Sequence, residues 1–218
     1  MINHFRDQWL EDFFLYGRSS NVIPLNLETA LARKLDIINA AMSHLDLRSP
    51  PGNMYEALSP PLKGYSSIRV NRQYRRVFRW SEEKQTISIS LHTSTRNTSE
   101  ASPMTLQQAL RKPTTPGEVL QYEYLEPLNL KINDLAEMLN VHRNTVSALV
   151  NNNRKLTADM AIKLAKAFNT TIEFWLNLQL KVDVWEAQSN SRTQEELSRI
   201  KTVAEVMAKR KSGKPDVA

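Results

Sequence analysis

Between Met138 and Ala158 the chain carries Arg143, Arg154 and Lys155 and no acidic residue. Grouped around the first of them are His142, Asn144, Thr145, Ser147 and Ala148. These are the residue types that read a duplex. Arginine pairs bidentately with guanine and asparagine with adenine, threonine and serine reach base edges or phosphates, and a small residue permits close approach. Asn151, Asn153, Arg154 and Lys155 follow directly, where amide and cationic side chains can hold backbone phosphates. A second acid-free run, Leu62 to Trp80, holds Lys63, Arg69, Arg72, Arg75, Arg76 and Arg79. Polyanion binding and a plain solvated face are both open for it.

Such side chains need a scaffold, and the spacing of apolar residues supplies one. Ile132, Leu135, Ala136 and Leu139 mark one short helix; Val146, Leu149 and Val150 mark the buried edge of the next. Between them, small Ala136 suits a close helix crossing, Asn140 suits a left-handed turn and Val141 plugs the corner. This is the pattern of a helix-turn-helix, which leaves His142 to Ala148 free to enter a major groove. The bland alternative is a structural bundle with one polar helix, which would normally carry Glu and Lys pairs instead. Further groups at Ala161–Phe168 and Ile172–Leu178, with a helix from Pro116 to Glu126 stopped by Pro127, predict a compact all-α bundle.

Upstream the pattern differs. A short helix is expected over Gln8–Tyr16, and Leu27, Leu31, Leu35, Ile38, Met42 and Leu45 describe an amphipathic helix of about five turns with Asn26 as N-cap. After Pro50-Pro51-Gly52 the period becomes two, with Ile68, Val70, Tyr74, Phe78 and Trp80 on strands joined by a turn at Asn71-Arg72-Gln73. The N-terminal part therefore reads as α+β, two helices and an antiparallel sheet. Residues 85–102, half of them Ser or Thr and followed by Pro103, read as a linker.

The 218 residues include 29 Lys+Arg against 23 Asp+Glu, four His and no Cys. Disulfide scaffolds, cysteine nucleophiles and cysteine zinc sites are excluded, and scattered histidines argue against a metal; no cofactor is expected. The first residues lack a basic and apolar leader and no long apolar run follows, so a cytoplasmic, membrane-free protein is expected.

The second part resembles the HigA antitoxins of the XRE-type helix-turn-helix class. The likeness is carried by Arg111-Lys112-Pro113, Pro116-Gly117-Glu118-Val119-Leu120, Asn144-Thr145-Val146-Ser147, Met160-Ala161-Ile162-Lys163-Leu164-Ala165 and Phe174-Trp175-Leu176-Asn177-Leu178-Gln179. Met104 matches the family's start. The resemblance implies a homodimer that binds palindromic operator DNA, represses its own operon and binds a toxin. The first part, through Ser49-Pro50-Pro51-Gly52-Asn53, Lys63-Gly64, Ser67-Ile68-Arg69-Val70-Asn71, Gln73-Tyr74-Arg75 and Phe78-Arg79-Trp80, resembles the HigB toxins of the RelE/ParE-like superfamily. That resemblance implies a ribosome-dependent mRNA endonuclease in which Arg69 and Arg75 stabilise developing charge, Lys63 adds phosphate binding and Tyr65 or Tyr74 stacks on a base. Two departures bear on catalysis. Arg76 stands where the family has an apolar residue, and of the family's terminal catalytic strand only His92 survives.

The expected organisation is a RelE/HigB-like domain (1–92), a linker (93–113), a HigA-like DNA-binding domain (114–186) and a charged helix or tail (187–218). The linker has a second reading, a toxin tail translated out of frame, which would cost the toxin its last authentic strand. The function expected is an autorepressor tethered to an inactive or neutralised toxin, with its own toxin or antitoxin half as partner. The alternative is an active endonuclease, engaging ribosome and mRNA, restrained by its own antitoxin. Gyrase poisoning fits less well, because Arg69 and Arg75 suit RNA. In either main reading, tethering is expected to keep the toxin face occupied by the antitoxin.

Overall fold

The computed structural model describes residues 2–81, 86–90 and 111–212. An α+β unit comes first and an all-helical unit follows. β1 (Ile2–Phe5) leads into α1 (Gln8–Tyr16), which buries Leu10, Phe13 and Phe14 and ends at Gly17, whose φ of 68° gives the left-handed cap. The long helix predicted from Asn26 is divided. A 3-10 turn (Leu25–Leu27) takes the place of the cap, and α2 (Glu28–Ala40) stops at Ala41. There the Asp46 carboxylate accepts the backbone N–H groups of Met42 and Ser43, opening a separate α3 (His44–Arg48).

β2 (Glu56–Ala57), β3 (Ser66–Arg69), β4 (Arg75–Ser81) and β5 (Thr86–Ser90) complete a sheet of order β1-β5-β4-β3-β2, antiparallel except for the parallel pair β1 and β5. Asn71 closes the predicted turn by accepting from the N–H groups of Gln73 and Tyr74. Register sets the faces. Ile68 opposes Arg76 and Ser66 opposes Phe78 on the side packed by α1, while Arg69 opposes Arg75 on the other. β5 corrects the reading of residues 85–102 as linker at one place: Thr86–Ser90 pair between β1 and β4, with Ile87 and Ile89 in register with Trp80 and Phe78. The described strand runs from Thr86 to Ser90. His92, Met104 and the rest of the proposed linker or out-of-frame tail to residue 110 lie outside the described residues.

Arg76 is buried with its apolar neighbours instead of reaching solvent. Among the described residues its Nε and Nη1 have no hydrogen-bond partner; its guanidinium lies 5.3 Å from the Trp9 ring centre, and desolvation lowers its pKa to about 10, with Asp7 opposing.

In the second unit, Thr115 and Glu118 form a capping box that opens α4 (Pro116–Leu120). The helix continues through a π-helical turn (Gln121–Leu125) into α5 (Glu126–Leu128). Pro127 does not stop it; the end comes at Asn129, with φ 52°. Then come α6 (Ile132–Met138), α7 (Arg143–Val150), α8 (Ala158–Phe168) and α9 (Ile172–Ser189), with exposed α10 (Ser191–Arg199) and α11 (Val203–Ser212) behind. Among the described residues no helix is long and apolar enough to cross a membrane.

The two units share one hydrophobic core, in which Leu31, Leu35 and Ile38 of α2 join Leu120, Tyr124, Trp175 and Leu178. Three carboxylates cross the seam. Glu123 accepts from Arg33 Nε at 2.7 Å and from Lys34 Nζ. Asp36 accepts from Arg111 Nη2 at 2.8 Å and Thr114 N–H at 2.9 Å. Asp46 accepts from Thr171 N–H at 2.6 Å and its hydroxyl at 2.9 Å. Arg111 also donates to the carbonyls of Phe14 and Leu15 at the end of α1, so residues 111–114 are packed on the first unit. None of these hydrogen bonds or ion pairs comes from Lys63, Arg69 or Arg75. Among the described residues these seam contacts are made on the helical side of the sheet, not on the face that carries Arg69 and Arg75.

Among the described residues one seam cation lacks a hydrogen-bond partner. Lys181 Nζ is buried near Asp36 and Arg111 without a hydrogen bond, and desolvation, only partly opposed by Asp36, lowers its pKa from 10.5 to about 8. Between pH 8 and 10.5 the unfolded chain therefore holds a proton that the folded chain has shed, so this residue makes stability rise with pH across that window and imposes its full cost below it. Lys181→Met is expected to stabilise the chain at neutral pH by something on the order of 3 kcal/mol. It should also remove that rise, as read from denaturant unfolding of both proteins between pH 7 and 10.5.

Candidate nucleic-acid interface

α6 and α7 meet where the sequence places the turn. Asn140 takes φ 50°, Val141 N–H donates to the Ala136 carbonyl, and Ala136 and Leu139 are buried beneath. α7 buries Val146, Leu149 and Val150 and turns the opposite side outward. His142, Arg143 and Asn144 are exposed, and Thr145, Ser147 and Ala148 are half-buried behind them. The structure thus brings this set together on one surface.

Local chemistry fixes several of them. His142 is the N-cap of α7: its Nδ1 accepts the Asn144 N–H at 3.2 Å, which holds the ring at the entrance of the helix. Asn151 donates to the Ser147 carbonyl at 2.8 Å and to its hydroxyl at 3.3 Å. Arg143 and Arg154 make no hydrogen bond or ion pair among the described residues and stay available. Lys155 does not: its Nζ lies 2.7 Å from Asp183 and 3.0 Å from Glu186 of α9, and those hydrogen bonds raise its pKa. Sequence reasoning missed both acids, which lie about thirty residues away and return beside the loop only through the turn between α8 and α9.

Gly117 explains the closeness of the scaffold. A Cβ there would overlap the Leu149 carbonyl oxygen and come within 2.7 Å of Asn152 Oδ1, so only glycine lets α4 cross the end of α7.

On the first unit, Arg69 and Arg75 are cross-strand neighbours. Arg75 is occupied: Nε donates to Ser67 Oγ at 3.0 Å, Nη2 to the Met54 carbonyl at 2.6 Å, and Glu56 lies 3.3 Å away. Lys63 is exposed on the turn before β3, beside Gly64 at φ 91°. His92 lies outside the described residues. A polar group the sequence did not announce sits at the sheet edge, where the Tyr55 hydroxyl bonds His44 Nδ1 at 2.8 Å and Ser66 Oγ at 2.7 Å, beside an open hollow of about 510 Å³. No spacing rule links residues 44, 55 and 66. Among the described residues no group of three or more His, Asp or Glu is placed to hold a metal ion.

Comparison with known proteins gives two family matches. Residues 3–92 match the RelE-like toxin of the type II toxin-antitoxin system HigB, and residues 122–175 match a helix-turn-helix family. The HTH-type transcriptional regulator YbaQ of Escherichia coli K12 is 66% identical over 113 residues, which is 52% of this chain and 100% of the relative. Toxin HigB-1 of Vibrio cholerae is 50% identical over 80 residues, 37% of this chain and 84% of the toxin. Antitoxin HigA-1 of the same organism is 47% identical over 96 residues, 44% of this chain and 89% of the antitoxin.

If Asp183 and Glu186 hold Lys155 away from phosphate, Asp183→Asn with Glu186→Gln should tighten duplex binding and steepen the salt dependence by about one unit of slope. Adding Lys155→Ala should return the slope. Fluorescence anisotropy over a salt series measures both, and an unchanged slope in the first variant removes Lys155 from the contact.

Proposed function

The chain belongs to the HigB–HigA class of type II toxin–antitoxin proteins, with the HigB-like toxin at its N-terminus and the helix-turn-helix unit at its C-terminus. On that premise we propose that it is a cytoplasmic autorepressor whose HigA-like half binds operator DNA while its toxin half stays docked and inactive. The observation that carries this reading is the exposed, acid-free face of α7. Arg143 and Asn144 read base edges, Thr145 and Ser147 line the groove, His142 sets the entrance, and Asn151 and Arg154 hold phosphate, with Lys155 joining on release from its acids. Two copies bind a palindrome as a homodimer, and Leu180 and Val184, left exposed one turn apart on α9, offer the second copy an apolar patch.

The toxin half is inactive in this reading because Arg75, which would stabilise transition-state charge, is spent on Met54, Ser67 and Glu56. One observation favours the second reading, a restrained endonuclease: the face holding Arg69 and Arg75 lies outside the seam with the helical unit. With Lys63, and with His92 as proton carrier, that face would engage mRNA on the ribosome.

Arg143→Ala should cost about 1–3 kcal/mol on duplex from the chain's own upstream region and leave binding to a random duplex nearly unchanged. Equal losses on the two would refute base readout. Expression of the full chain should neither arrest growth nor cleave mRNA; cleavage that disappears in Arg69→Ala would establish the second reading instead.

A further inference from the structure

Resting on the toxin–antitoxin reading, we infer that the HigA-like surface around Glu123, Arg111 and Thr171 is filled by the toxin half of the same chain, and that the molecule is closed to toxin supplied by another.

The seam is built as an interlocking code. Glu123 projects from the second unit into Arg33 and Lys34 of the first, whereas Asp36 and Asp46 project from the first into Arg111, Thr114 and Thr171 of the second. Donors and acceptors therefore run in both directions, and a partner that mismatches any node buries an uncompensated charge. Lys34 is held further by Asn53 Oδ1 at 2.9 Å. A Cβ on Gly52 would come within 2.6 Å of Glu123 Oε2, so a side chain at position 52 would crowd that carboxylate. Ser49 adds its hydroxyl to the Phe168 carbonyl, and Asn177 donates to the Ala40 carbonyl at 3.1 Å.

Connectivity then decides which toxin half wins. Twenty residues separate Ser90 from Arg111. Extended, they span roughly 65–70 Å, several times the ~17 Å radius of gyration of a compact chain of this size. Such a tether holds the halves at an effective concentration of about 1 mM. A free toxin of equal intrinsic affinity at about 1 μM is outcompeted roughly a thousandfold.

The chain contains no cysteine, so introduced thiols are unique. Leu45 and Ile172, both exposed, flank the hydrogen-bonded pair Asp46 and Thr171. In the double variant Leu45→Cys with Ile172→Cys, a short bismaleimide should join the two sites within one chain, giving a product of single-chain mass. Differently tagged Leu45→Cys and Ile172→Cys full chains, mixed and treated alike, should yield no species containing one of each. A mixed species above that formed by either single variant alone would overturn closure in cis while leaving toxin–antitoxin pairing intact. The absence of any crosslink between residues 45 and 172 in the double variant would overturn the docking itself, and with it the neutralised-toxin reading.

Discussion

The buried carboxylate of Glu123 is the constraint from which the rest of the arrangement follows. Two cations of α2 converge on it, Arg33 and Lys34, and removing it would leave the buried Lys34 charge with only the Asn53 amide oxygen, at a cost of about 3–5 kcal/mol. Its position depends on the π-helical turn, which buries three consecutive residues, Glu123, Tyr124 and Leu125. Tyr124 then stacks 4.1 Å from Phe168 and reaches Ser49 with its hydroxyl, so one irregular turn joins ion pair, aromatic cluster and hydrogen bond. Burial pushes the Tyr124 hydroxyl well above its usual range, and it stays protonated.

The same helix supports the DNA-facing side. α4 leads into that turn, and Gly117 at its start lies against the carbonyl end of α7. The seam and the helix offered to DNA therefore rest on one continuous helix, α7 against its start at Gly117 and the seam at Glu123. Docking of the first unit leaves His142, Arg143 and Asn144 exposed, so occupancy of the seam and access to a groove coexist.

Much of this was legible in the residues. The turn at Asn140, the buried edge of α7 and the first helix over Gln8–Tyr16 follow from local spacing, and they stand in the structure as read. Long-range features were not legible. Asp46 divides a helix whose apolar period runs straight through the break, because a carboxylate capping Met42 and Ser43 leaves no periodic mark. β5 hides in a Ser/Thr-rich composition, where a short alternation beginning at Ile87 and Ile89 is outweighed by the Ser and Thr around it, and the sheet partner β1 lies at the other end of the unit. The tie from Lys155 to Asp183 and Glu186 depends on how α8 and α9 fold back, which no spacing rule reports.

The parallel pairing of β1 with β5 sets an order of events during synthesis. The first strand made waits for the last, so the sheet cannot close until residue 90 has left the ribosome. Lys181, at the far end of the seam, is added about 90 residues later, a delay of roughly 5–18 s at 5–20 residues per second. For that interval the nascent chain carries a completed sheet with its helical flank, Lys34 and Asp36 included, open to water, and every molecule passes through a brief unguarded stage before it covers itself.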